Sequence, residues 1–218
     1  MDAAVLVVFV VVVTGALLMM QRSAATSARR GRQELADWAR TRGLSYAEQC
    51  PDLARRFSGP PFVTGVDARA SRVVSGRWRG RSVTVYEYAY MSDAANVQSA
   101  RAFTVVAVAT DATPVLQVRG QHVGDRLLER CGVHGLKVGE RAFDERFHVR
   151  TDDPDFARAV LDRAARGWLV AHADAVPFRL TGDHLLLWSE GTLAPERIRA
   201  RVDTAVDLVG CLLGPAGG

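Results

Sequence analysis

The chain has 218 residues, 48% of them hydrophobic and 24% charged, with a formal net charge of +4. That balance excludes wholesale disorder and collagen-like repeats, and three cysteines are too few for a disulfide framework. The length suits one anchored domain of ordinary size, or two very small ones. Charge is unevenly spread: residues 21–81 hold 13 Arg against five acids, while residues 82–218 hold 15 basic residues against 18 acids. Lys137 is the sole lysine, a mark of GC-rich coding.

Ala3–Met20 is a run of eighteen residues without a charge. At a helical rise of about 1.5 Å per residue it covers roughly 27 Å, near the hydrocarbon thickness of about 30 Å. The valines from Val10 to Val13 are poor helix formers in water, but in lipid a single segment satisfies its backbone only as a helix. Residues 1–20 are therefore predicted to form a transmembrane helix. A cleaved signal peptide needs a positive n-region and a shorter apolar core of about 7–15 residues. Met1-Asp2 offers neither Lys nor Arg, although the small residues of Ser23–Ala28 imitate a cleavage site. That alternative, a secreted or extracytoplasmic binding domain, stays open.

Arg22, Arg29, Arg30 and Arg32 follow the span, and no basic side chain precedes it. The positive-inside rule then leaves residues 21–218 in the cytoplasm of a single-pass cell-membrane protein. Arginines beside an anionic leaflet gain about 1 kcal/mol each. These four are the expected membrane-surface residues, and a bilayer with anionic headgroups is the expected partner. Free Cys50, Cys131 and Cys211 suit a reducing compartment.

Beyond a basic stalk at 21–33, Glu34–Arg42 reads as a short helix with Leu35, Trp38 and Ala39 on one face and Gly43 ending it. Leu44–Glu48 reads as a strand and Pro51–Phe57 as one or two helical turns. Arg69–Tyr90 reads as a hairpin turning at Arg79-Gly80, a register that places Arg72 opposite Glu87. Ala102–Ala109, apolar almost throughout, predicts a strand covered on both faces. Pro114–Val118 predicts another, Val123–Arg130 a short helix and Phe147–Arg150 a strand. Asp153 and Pro154 open a helix expected to run to Val170. Phe178–Thr181 and His184–Trp188 read as a hairpin around Gly182-Asp183. From Pro195, the residues Ile198, Val202, Ala205, Val209 and Leu212 recur at helical spacing.

The predicted fold class is α+β: an N-terminal transmembrane helix followed by one domain, residues 34–213, with a mostly antiparallel sheet and packed helices. Residues 214–218 read as a frayed tail. Pro114–Gly120 is the sole candidate boundary between subdomains.

Few residues suggest chemistry. His122, Cys131 and His134 are three soft ligands within thirteen residues, but Cys131-x-x-His134 lacks the second pair that structural zinc takes. Asp152-Asp153-x-Asp155 lacks the glycine turn and distal Glu of a calcium loop, and helix capping explains it. His148, His172 and His184 have no evident companion. There is no Gly-x-Ser-x-Gly elbow, Walker loop, His-Glu-x-x-His pair or Gly-x-Gly-x-x-Gly after a strand. No catalytic, metal or cofactor site is expected. Arg69, Arg72, Arg77, Arg79 and Arg81 around Trp78 read first as a solvated hairpin, then as a headgroup surface, and last as a nucleic-acid surface. Tyr86, Tyr88 and Tyr90 share one face and read as core beneath a covering helix.

Several stretches carry a resemblance: Leu35-Ala36-Asp37-Trp38-Ala39, Gly59-Pro60-Pro61-Phe62, Phe103-Thr104-Val105-Val106-Ala107, Phe143-x3-Phe147-x-Val149-x-x-Asp152-Asp153-Pro154-x-Phe156-Ala157 and Leu185-Leu186-Leu187-Trp188. In that order they resemble a group of actinobacterial single-span membrane-anchored proteins of unassigned function. The resemblance implies a span, an arginine-rich stalk and one α+β domain at a bacterial membrane, and brings no catalytic or ligand residue.

The expected function is therefore binding or assembly at a membrane surface, without catalysis, by a cytoplasmic domain. An enzyme with an unrecognised site would instead gather groups such as His122, His134, Asp152 or Glu87 in one pocket.

Overall fold

A computed structural model describes residues 29–62, 66–94, 97–121 and 135–214. The apolar run, Arg22, His122, Cys131, His134, the helix expected over Val123–Arg130 and the last four residues lie outside these. Among the described residues no helix is long and apolar enough to cross a membrane.

The described chain is α+β. Helix α1 occupies residues 29–40, followed by β1 (Ser45–Gln49), α2 (Leu53–Arg56), β2 (Val66–Trp78), β3 (Arg81–Ala94) and β4 (Val97–Gly120). Then come α3 (Arg141–Asp144), β5 (Phe147–Thr151), α4 (Pro154–Val160), α5 (Arg163–Ala171), β6 (Phe178–Glu190) and α6 (Pro195–Leu213). The six strands form one sheet whose described pairings are all antiparallel.

β4 is the spine. Its first half pairs with β3 on one side, as Tyr86 with Val105 and Tyr88 with Phe103, and its second half pairs on the β5 side, as Val118 with Val149. β6 lies along the whole opposite side, pairing Trp188 with Val105 and Phe178 with Val118. Ala102–Ala109 and Pro114–Val118 are thus parts of one strand of 24 residues, and the supposed boundary at Pro114–Gly120 is sheet interior. Register shifts between Ala109 and Leu116 bend the strand where it changes partner.

The same pairing corrects the second predicted hairpin. Both halves of Phe178–Glu190 pair with β4, and the chain passes through Gly182-Asp183 as an irregularity opposite Thr113. Gly182 takes φ +57°, a local twist that reads in the sequence as a turn. The expected helix Pro154–Val170 is in fact two. Leu161, fully buried, leaves helical geometry, and the Asp162 carboxylate accepts the Ala165 N–H at 2.8 Å to start α5 afresh.

Alternation assigns the two sheet faces. Val83, Val85, Val106, Val108, Leu185 and Leu187 point to the face covered by α1 and α6, where Leu35, Ala39, Ile198, Val202, Ala205, Val209 and Leu212 are buried. Tyr86, Tyr88, Phe103, Val105, Leu186 and Trp188 point to the other face, under Leu53 and Phe62. The near-continuous apolar run in β4 follows from this double burial. Tyr86 and Tyr88 are core, as expected, with Phe62 edge-on to Tyr88 at 4.9 Å, whereas Tyr90 is half-buried at the margin of the cluster. The cover is pinned by Arg179, which donates to the Ser58 carbonyl at 2.7 Å. Gly59 sits at φ +75°, a backbone conformation that side chains rarely adopt, and a Cβ there would also displace that guanidinium.

Candidate functional site

The hairpin arginines are largely used within the fold. Two-residue turn geometry at Arg79-Gly80 puts the tip beside the C-terminal half of α6. Arg79 pairs with Asp207 at 2.7 Å, Trp78 Nε1–H donates to Asp203 at 2.8 Å, and Arg81 donates to the Gly214 carbonyl at 2.8 Å. Arg77 donates to the Gly80 carbonyl, and Trp78 stacks on Trp38 at 6.4 Å. This tip latches the sheet to α1 and α6 while Arg77 and Arg79 stay exposed to solvent.

Arg72 meets Glu87 as expected, by a different register. A bulge between Ser71 and Val74 puts Ser71, not Arg72, opposite Glu87. Arg72 itself sits at φ +53°, which turns its side chain onto the carboxylate. Side-chain exposures of 24% for Arg72 and 15% for Glu87 make the pair semi-buried, and Glu87 also accepts the Leu193 N–H at 3.0 Å. Among the described residues Arg69 alone of the five has a side chain with neither a hydrogen bond nor an ion pair.

Around these two arginines the sheet carries an open polar trough of about 340 Å³. The register lays its floor: Gln49, Ser71 and Glu87 form one row across β1, β2 and β3, and Arg69 with Ala89 the next. The rim is Arg32 of α1, paired with Glu48 of β1 at 2.7 Å. Two further clefts adjoin. One, along the outer side of α1, includes Arg29, Arg32 and Arg40; the other, under α2, includes Arg55 and Arg69. The three linings together hold six arginines, namely Arg29, Arg32, Arg40, Arg55, Arg69 and Arg72, against Asp37, Glu48 and Glu87. They form a basic belt around the edge strand β1.

A second concavity lies at the start of α6, where Arg197 and Arg201 line adjoining clefts. Burial pushes the Arg201 guanidinium below its ordinary pKa, opposed by the charge of Asp174.

Of the expected membrane-surface residues, Arg29 and Arg30 are exposed on α1 and Arg32 is half-buried at the trough rim. The other singled-out groups have structural roles. Asp153 accepts the N–H groups of Asp155 and Phe156 as the cap of α4, and Asp152 accepts the Val115 N–H at 2.8 Å. His172 ends α5 with Nδ1 2.9 Å from the Trp168 carbonyl and its ring stacked on that indole. His184 contacts Asp183 at 2.6 Å, and His148 is half-buried on β5. Asp152 and Glu87 lie on separate stretches beside β4, so they share no pocket. Cys50 and Cys211 are free thiols, and burial raises the Cys211 pKa. No set of three metal-ligating side chains comes together among the described residues. What the sequence reading missed is the joining of α1 to β1 and β2. On β2 the alternation of Asp67, Arg69 and Ser71 with Ala68 and Ala70 was the available signal.

No protein-family model matches the chain, and no curated protein matches it. Among solved structures, it is similar to the crystal structure of the mycobacterial trehalose monomycolate transport factor A, TtfA, with a TM-score of 0.56 and 20% identity. The alignment covers 86% of this chain and 98% of that one, a likeness of fold across nearly the whole of both.

Proposed function

We propose that this protein is a membrane-anchored accessory factor in lipid transport at a bacterial membrane, acting by binding and assembly without catalysis. The observation that carries this reading is the shared fold with a lipid transport factor over 98% of that protein's chain. The uncharged run Ala3–Met20 and the arginines that follow it support an anchor with residues 21–218 on the cytoplasmic side. The resemblance to actinobacterial single-span proteins agrees with that layout. Within the trough, Glu87 Oε2 accepts from Arg72 and from the Leu193 N–H, which ties this carboxylate into the fold.

Two measurements test the reading. For topology, a cysteine-free variant carrying Ser23→Cys is treated in intact cells with a membrane-impermeant maleimide. Labelling is expected only after permeabilisation, and labelling from outside overturns the cytoplasmic assignment. For transport, cells lacking the chain are pulsed with labelled acetate and their inner-membrane and surface lipids are separated. A lipid class retained at the inner membrane is the expected result. An unchanged distribution of every class defeats the transport role.

A further inference from the structure

We propose that the basic belt around β1, centred on Arg69, is a docking surface for the anionic phosphate headgroups of the bilayer that anchors the chain, a proposal that rests on the anchored reading above. Charge favours it first. Six arginines face three acids there, and the side chains of Arg29, Arg55 and Arg69 have no hydrogen bond or ion pair among the described residues. The guanidinium fork matches a phosphate with two parallel N–H donors, which suits a headgroup better than a point charge would.

Three pairs exist among the described residues and they divide by burial: Arg40 on Asp37 at 2.7 Å and Arg32 on Glu48 lie toward solvent, and Arg72 on Glu87 is semi-buried. Glu48 is 61% exposed, so Arg32 exchanges it for a phosphate at little cost. Arg72 stays on the semi-buried Glu87 and holds the trough in shape. Protection of an open sheet edge would explain charge on β1 itself, yet the charge β1 contributes is Glu48. The arginines come from α1, α2 and β2.

Position favours it second. Residues 21–28 separate the apolar run from α1, and eight residues reach at most about 30 Å when fully extended. α1 is fixed to the core by the wholly buried Leu35 and Ala39, so the link joins the folded domain on its α1 side. The belt on α1, β1 and β2 is therefore the part of the domain that the link holds close to the bilayer. The arginines of the hairpin tip, by contrast, are occupied by Asp203, Asp207 and the Gly214 carbonyl.

The test uses the full-length chain in nanodiscs of phosphatidylcholine alone and of phosphatidylcholine with phosphatidylglycerol. Backbone hydrogen exchange is read over residues 45–49 and 66–72. Slower exchange in the anionic discs is expected, with Arg69→Gln giving back about fivefold of it, the factor carried by one headgroup contact of about 1 kcal/mol. Arg163→Gln, the same loss of charge at an exposed position on α5, is expected to leave the effect intact. Equal exchange in the two discs, or an Arg163→Gln effect as large as that of Arg69→Gln, overturns the docking surface. Equal protection by inorganic phosphate on phosphatidylcholine discs overturns the bilayer as its ligand. A chain that never enters discs and stays in the aqueous fraction overturns the anchor instead, and the docking with it.

Discussion

Replacing Leu35 with alanine tests how the domain is held to its N-terminal segment. Leu35 is fully buried against the sheet, and α1 has one other fully buried side chain, Ala39. Truncating a buried leucine costs about 3 kcal/mol through lost transfer energy and the cavity left behind. What remains to hold α1 is the Ala39 methyl, about 0.8 kcal/mol, the stack of Trp38 on Trp78, about 1 kcal/mol, and the solvent-screened Arg32–Glu48 pair, which adds little. The sheet keeps its α6 cover, so α1 is expected to open ahead of the rest of the domain. Exchange at residues 36–40 should accelerate about a hundredfold, since each 1.4 kcal/mol is a factor of about ten. Exchange within β3 and β4 should change far less. Hydrogen exchange on the full chain reads both regions at once. If residues 36–40, β3 and β4 lose protection by the same factor, α1 belongs to the global cooperative unit and the reasoning fails; unchanged exchange in all three refutes it equally.

Three further outcomes follow from particular contacts. Asp153→Ala removes the acceptor for the Asp155 and Phe156 N–H groups, so the urea midpoint should fall by the equivalent of about 1 kcal/mol, and no fall would mean water replaces the cap freely. The Tyr86 hydroxyl is buried without a hydrogen-bond partner among the described residues, and burial raises its pKa strongly. Tyr86→Phe should therefore leave stability unchanged or raise it by up to about 1 kcal/mol, whereas a clear loss in urea denaturation would reveal a partner. The Asp183 carboxyl sits below its ordinary pKa because the His184 ring hydrogen-bonds to it and adds charge. A depressed carboxyl pKa contributes stability above the unfolded value that is lost as pH falls through the folded one. His184→Ala should move the Asp183 titration, followed by side-chain NMR, up toward the ordinary carboxylate range; an unmoved titration would break the assignment.

Local physics was legible in the sequence wherever neighbours in the chain decide the outcome. Leu35, Trp38 and Ala39 marked the buried side of α1, Asp153-Pro154 the start of α4, Arg79-Gly80 the hairpin turn, and the spacing from Ile198 to Leu212 the core stripe of α6. Helix periodicity, capping and turn geometry act within a few residues, so one sequence displays them. Tertiary structure decided the rest because strand partners are chosen by what lies across the sheet. Gly182-Asp183 has the composition of a turn, yet β4 pairs with both flanking segments and the chain runs on as one strand. Pro114 looked like a boundary, yet β5 takes up the ladder beyond the bend in β4. For the candidate site, the Arg72–Glu87 pair could be read from the hairpin register, although a bulge delivers it one residue out of step. The belt itself could not, because Arg32, Glu48, Arg55 and Arg69 are brought together by the docking of α1 and α2 onto β1 and β2. Nor could the sequence show that Arg79 and Arg81 are occupied, since Asp207 and the Gly214 carbonyl come from the other end of the chain. A charge is written at its position in the chain, but whether it is free to meet a ligand depends on which distant groups the fold places beside it.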